Sequence, residues 1–166
     1  MTHTKSIVLI GMPGSGKSTV GKLLAKQWHW PFVDTDKVIE RETKTVLQNY
    51  IDQNGEDAFL AIEEKVLRSL SIQQTIVAPG GSIIYHEDIL REWKNHVHFV
   101  YLKTPIQILK NRIHQDTRGI IWHGAKSFDE LFANRLERYE MLADIIISSD
   151  RHDFTNIVQT INRNFQ

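Results

Sequence analysis

SIVLIGMPGSGKSTVGKLLA, residues 6–25, passes from an unbroken β-branched run through a glycine-spaced loop into a segment with helical spacing. Ser6 to Ile10 reads as a strand buried on both faces. Gly11 to Ser18 matches G-x-x-x-x-G-K-[ST] in full. The glycines let backbone N–H groups turn inward around phosphates, and the following helix aims its positive end at them. Lys17 suits the outer phosphates as a compact charge, and the Ser18 hydroxyl suits a magnesium ion. A plain glycine turn with a surface lysine is the bland alternative. The strand before the loop and the helix after it speak against that reading.

The same alternation continues outward. Apolar runs at 31–36, 75–82, 97–102 and 144–148 read as strands, and helical spacing fills 37–43, 46–55, 56–70, 86–95, 104–113, 127–143 and 153–165. Gly55 is expected to end a helix, and Ser127 with Glu130 three residues on is a capping-box pattern. The segment 114–127 has no period and two glycines, and reads as a mobile loop. Strands alternating with helices predict an α/β fold, a doubly wound parallel five-stranded sheet with helices on both faces, with its site at the carboxyl ends of the strands.

With 166 residues the chain fits one domain spanning 1–166. Twenty basic and 20 acidic residues cancel, so no overall field favours nucleic acid or a membrane surface. The absence of cysteine excludes disulfides and thiolate metal sites. The first apolar run is too short for a signal peptide or a membrane span, so a cytoplasmic protein is expected. The eight histidines show no metal-ligand spacing that coincides with a cleft. Trp122 falls in the mobile loop and is a candidate for shielding the site from water.

The phosphate can serve several ends. No N-K-x-D guanine-reading motif occurs, and the apolar strand TIVAPGG ends in proline and glycine rather than in an acid. The acids stand in Asp34-Thr35-Asp36. Two carboxylates two apart on an extended segment point the same way, one for the magnesium shell and one for an acceptor hydroxyl. A helix cap at Thr35 or Asp36 is the alternative. This suits phosphoryl transfer to a small alcohol, with Arg118 at the tip of a lid stabilising charge on the transferring group.

In order and approximate spacing, GMPGSGKSTVGKLLA, FVDTDKVIE, GEDAFLAIEE, GGS, TRGII and RLERY resemble the shikimate kinases over nearly the whole chain. The resemblance implies a P-loop kinase fold with a lid at about 112–126, using ATP and Mg²⁺ in the pathway to aromatic amino acids. It implies catalytic roles for Lys17, Asp36 and Arg118. Gly11, Pro13, Gly14, Ser15, Gly16, Lys17, Ser18 and Thr19 would hold the nucleotide, with Arg112 facing adenine and Arg118 closing over it. Ser18 and Asp34 would hold magnesium. Asp36, Gly80, Gly81, Ser82 and Arg135 would bind the acceptor, Arg135 through its carboxylate. Glu63 would orient neighbouring basic groups. The implied partner is a small hydroxylated molecule, with no nucleic acid, no membrane and a monomeric chain.

Two departures fall on the acceptor side. Leu60 stands where the family has an arginine that helps clamp the acceptor carboxylate, and a charge-assisted hydrogen bond contributes roughly 1.5–3 kcal/mol. Ser82 stands at the third position of a Gly-Gly-Gly run. Lys65 and Arg138 are candidates for replacing the lost charge. Three readings follow: a shikimate kinase, a same-fold kinase of another hydroxy acid or polyol, or a nucleotide-binding homologue without catalysis.

Overall fold

The computed structural model describes residues 5–113, 119–150 and 153–165. Five strands form one parallel sheet in the order β2-β3-β1-β4-β5: β1 is Ser6–Ile10, β2 Phe32–Asp34, β3 Ile76–Ala78, β4 Val97–Lys103 and β5 Ile145–Ser148. Every strand-to-strand pairing is parallel. This is the doubly wound sheet that the alternating pattern predicts.

The centre of the sheet explains the unbroken apolar run of β1. Val8 and Ile10 pack on one side with Val77, Phe99, Tyr101 and Tyr139. Ile7 and Leu9 pack on the other with Val20, Leu24, Ile157 and Ile161. A strand alternates its side chains, so both faces of β1 must be apolar when both are covered. Helix α1 (Lys17–Trp28) lies against α8 (Phe154–Phe165) on the second side.

Between β2 and β3 the chain makes three helices: α2 (Thr35–Thr43), α3 (Leu47–Asn54) and α4 (Glu56–Ser69). They enclose a smaller cluster of their own, with Ile39, Leu47, Ile51, Phe59 and Val66 buried in it. Gly55 ends α3 at φ 86°, as its identity predicts, and opens α4. Beyond β3 a short 3₁₀ helix, Gly81–Tyr85, leads into α5 (Glu87–Trp93). Helix α6 (Ile106–Ile113) follows β4, and α7 (Phe128–Leu142) precedes β5. Ser127 caps α7 by accepting from the Glu130 N–H, while the Glu130 carboxylate accepts from Lys126 N–H.

Candidate active site

The loop between β1 and α1 turns into the helix at Gly16, whose φ of 96° is open to glycine at little cost. No side chain caps α1 and no acid stands in its first turn. Its leading N–H groups and positive end therefore serve the adjoining cavity, which Gly16, Lys17, Ser18 and Thr19 line. Lys17 is 9% exposed, and its Nζ donates to the carbonyls of Gly11 and Met12 at 2.8 and 3.0 Å. Ser18 Oγ donates to Asp34 Oδ2 at 2.6 Å, which brings the two expected metal ligands together.

Pro13 and Gly14 also line the cavity. Gly11 and Ser15 do not. Gly11 lies against the Leu102 carbonyl, and Ser15 is fully buried, with its N–H donating to Met12 O and its carbonyl accepting from Ser149. These two residues support the loop from beneath.

The geometry of Asp34-Thr35-Asp36 differs from the extended pair that the sequence suggests. Strand β2 ends at Asp34, whose Oδ1 accepts from Lys37 N–H and caps α2. Asp36 sits in the first turn of that helix. Capping wins because the leading N–H groups of α2 need an acceptor, and Asp is among the best. Both carboxylates nonetheless line the same cavity.

That cavity measures about 420 Å³ and joins two sets of groups. Near the phosphate loop, Arg112 Nη1 donates to Gly14 O at 2.7 Å. Its Nε and Nη2 are buried with no hydrogen-bond partner among the described residues, and burial lowers its pKa. Phe154 lies against Gly16, where a Cβ would come within 2.7 Å of its ring. The sequence reading missed Phe154, because nothing in its local pattern marks the first residue of α8 as facing a loop formed near the other end of the chain.

The second set surrounds Gly80 and Gly81. A Cβ on Gly80 would lie 3.0 Å from Asp36 Oδ1 and 2.8 Å from Glu63 Oε1. A Cβ on Gly81 would lie 2.7 Å from Arg135 Nη1 and 3.0 Å from Tyr139 Oη. The close approach therefore requires glycine at both positions. Arg135 is 1% exposed; it donates to the Ile121 carbonyl and to Tyr85 Oη, and lies 5.4 Å over the Tyr85 ring. Burial works against its charge, yet the neighbouring Tyr139 and Tyr85 outweigh that and its pKa is raised. No carboxylate pairs with it among the described residues. Burial pushes Tyr139 up to about 12, so its hydroxyl keeps a proton and donates to Gly81 O at 2.6 Å.

Apolar cover comes from Phe59, Ile120 and Ile121. Trp122 is 39% exposed and does not line the cavity; its N–H and that of His123 donate to Glu56. Arg118, expected at the lid tip, lies outside the described residues. Leu60 is half-buried in the cluster under α2–α4. Lys65 pairs with Glu42 and Arg138 with Glu87, and neither lines the cavity. Glu63 is fully buried and does have a basic neighbour, His86, but shares its carboxylate with Ser82.

The arrangement fits Mg-ATP by three features: uncapped helix amides, a buried lysine on the loop, and unpartnered Arg112 donors. Among the described residues no group of three or more histidines and acids could hold a metal alone. A magnesium ion held by one hydroxyl, one carboxylate and substrate phosphates needs no such group.

The family model for shikimate kinase matches residues 13–166. The chain belongs to the shikimate kinase family. A shikimate kinase from Nitrosomonas europaea is 39% identical over 161 residues, covering 94% of this chain and 76% of that protein. One from Bacillus mycoides is 31% identical and covers 96% of this chain and 97% of that one. The solved shikimate kinase from Acinetobacter baumannii, in complex with shikimate, superposes with a TM-score of 0.87 at 27% identity, covering 96% of this chain and 92% of that one. Family membership and fold thus agree with the resemblance carried by the motifs. No helix among the described residues is long and apolar enough to cross a membrane.

Proposed function

We propose that the chain transfers the γ-phosphoryl group of ATP to a ring hydroxyl of shikimate. One observation carries this reading. In a single cavity beside the phosphate loop, Gly80 lies against Asp36 and Gly81 against the Arg135 guanidinium. A hydroxylated acid laid along that wall meets a carboxylate at one end and a cation at the other. The shikimate complex of the solved relative supports the choice of acid.

Lys17 and the leading amides of α1 hold the phosphates in line with the acceptor, and positioning is most of what this chemistry requires. Ser18 and Asp34 would hold a magnesium ion, which would neutralise charge on the phosphate oxygens. Asp36 orients the attacking hydroxyl and takes its proton as the new O–P bond forms and the bond to ADP breaks. Arg135 binds the acceptor carboxylate. Phe59, Ile120 and Ile121 keep water from competing. Arg112 and Phe154 flank the adenine end, and Arg118 stabilises charge on the transferring group.

Coupled measurement of ADP release with and without shikimate tests the proposal. Shikimate-dependent turnover is expected, and Arg135→Gln should raise the shikimate KM about tenfold to a hundredfold, leaving the ATP KM within about twofold. ADP release indifferent to shikimate defeats the reading. The apolar packing of Leu60 favours a second reading, a smaller or less anionic hydroxy acid. A panel of hydroxy acids and polyols in the same assay decides between the two.

A further inference from the structure

Glu63 places a carboxylate in the interior of the protein. It lies on α4, fully buried, behind the wall that carries Gly80 and Gly81. A buried carboxylate is costly unless its lone pairs are met. Both of its oxygens accept from Ser82 Oγ at 2.8 Å. Oε2 also meets Nε2 of His86 at 2.8 Å, and the imidazole side chain is only 7% exposed. With the carboxylate as acceptor, Nε2–H is the donor of this pair.

The partners are not scattered. Ser82 directly follows Gly80 and Gly81, and His86 directly follows the 3₁₀ helix that begins there. One carboxylate on α4 therefore pins both ends of the 81–85 turn. The neighbouring residues are pinned by other helices. Gly80 N–H donates to Thr35 Oγ1 of α2 at 3.3 Å, and Gly81 O accepts from Tyr139 of α7. Three successive residues are thus each held by a side chain from a different helix. Those residues fix where the wall stands against Asp36 and Arg135.

Resting on the reading above, we infer that Ser82 and His86 are positioning residues for the acceptor, acting through Glu63 to fix the Gly80–Gly81 wall between Asp36 and Arg135. The phosphate loop hangs from β1 and α1 and makes none of these hydrogen bonds; it meets the wall at Pro13, whose Cδ would lie 3.1 Å from a Cβ on Gly81. Loss of the pair therefore weakens the acceptor side and spares the nucleotide side.

The test is steady-state kinetics of the full chain with shikimate and ATP varied separately, together with the melting temperature of each variant. His86→Ala should raise the shikimate KM about tenfold, the loss of one hydrogen bond to a charged group. The ATP KM and kcat should stay within about twofold. His86→Gln retains a donor within reach and should recover most of the loss. Ser82→Ala should act in the same direction, and the double variant should be worse than either alone. A pair that only supports folding would lower the melting temperature without separating the two KM values, and that outcome overturns the inference. Should His86→Ala fail to fold, the imidazole Nε2–H of the wild type gives the second reading by ¹⁵N NMR, assigned against His86→Gln. Slow exchange with water and a shift on adding shikimate support the inference; rapid exchange and no shift overturn it. A wild type inert towards shikimate defeats the kinase reading and this inference with it. An active wild type with unaltered variants defeats this inference alone.

Discussion

Asp36→Asn lowers kcat for shikimate phosphorylation by about 10³-fold and leaves the ATP KM within about twofold. Asparagine keeps the size and most of the hydrogen bonding of the side chain, so the first turn of α2 survives the exchange. It cannot take the hydroxyl proton. A positioned base contributes about 10²–10⁴ in rate, and Asp36 stands on the wall beside Gly80 where the attacking hydroxyl must lie. The cap of α2 is Asp34, not Asp36, so the loss is not one of helix stability. Single-turnover measurement with saturating shikimate separates the chemical step from binding. A loss of less than about tenfold removes Asp36 from the role of base.

Lys17→Met is expected to cost a similar amount, about 10³-fold in kcat/KM for ATP, with part of it in binding. The thioether matches the length of the stem and carries no charge. Lys17 Nζ donates to the carbonyls of Gly11 and Met12, both in the loop that must cradle phosphates. These bonds tether the lysine beside its working position, which limits the ordering cost on binding. Isothermal titration with ADP and with a non-hydrolysable ATP analogue checks the assignment. If the variant binds both as tightly as the wild type and turns over at more than a tenth of its rate, the outer-phosphate role is wrong.

The phosphate loop was legible because its chemistry is contiguous: strand, glycines, lysine, serine and helix follow one another, and each residue type has one use there. The sheet was legible for a related reason, since β1 must be apolar on both faces to lie at its centre. Asp34 and Asp36 were found for the right cavity on the wrong geometry. A period of two holds only while the strand lasts, and the strand stops where a helix needs a cap. The acceptor wall was harder. Ser82 could be seen as an added hydroxyl, but its partner lies on α4, and His86 offers no spacing that points to either. Gly11 and Ser15 belong to the motif, yet only the packing beneath the loop shows Gly11 against the Leu102 carbonyl and Ser15 held by Ser149. Arg135 rested on resemblance, to which the structure adds its burial with no carboxylate partner among the described residues.

The three helices between β2 and β3 shelter a small apolar cluster apart from the two on the sheet, although α4 also buries Leu67 in the sheet's core. Less apolar burial means a lower free energy of opening. Amide hydrogen exchange in α2, α3 and the first half of α4, through Glu63, should therefore proceed through a partial unfolding that leaves β1, β4 and α1 protected, with rates about tenfold or more above those of the sheet. Asp36 and Glu63 both ride on that unit. The half of the molecule that chooses the acceptor can loosen, and over generations be rebuilt, while the half that holds the nucleotide stays folded.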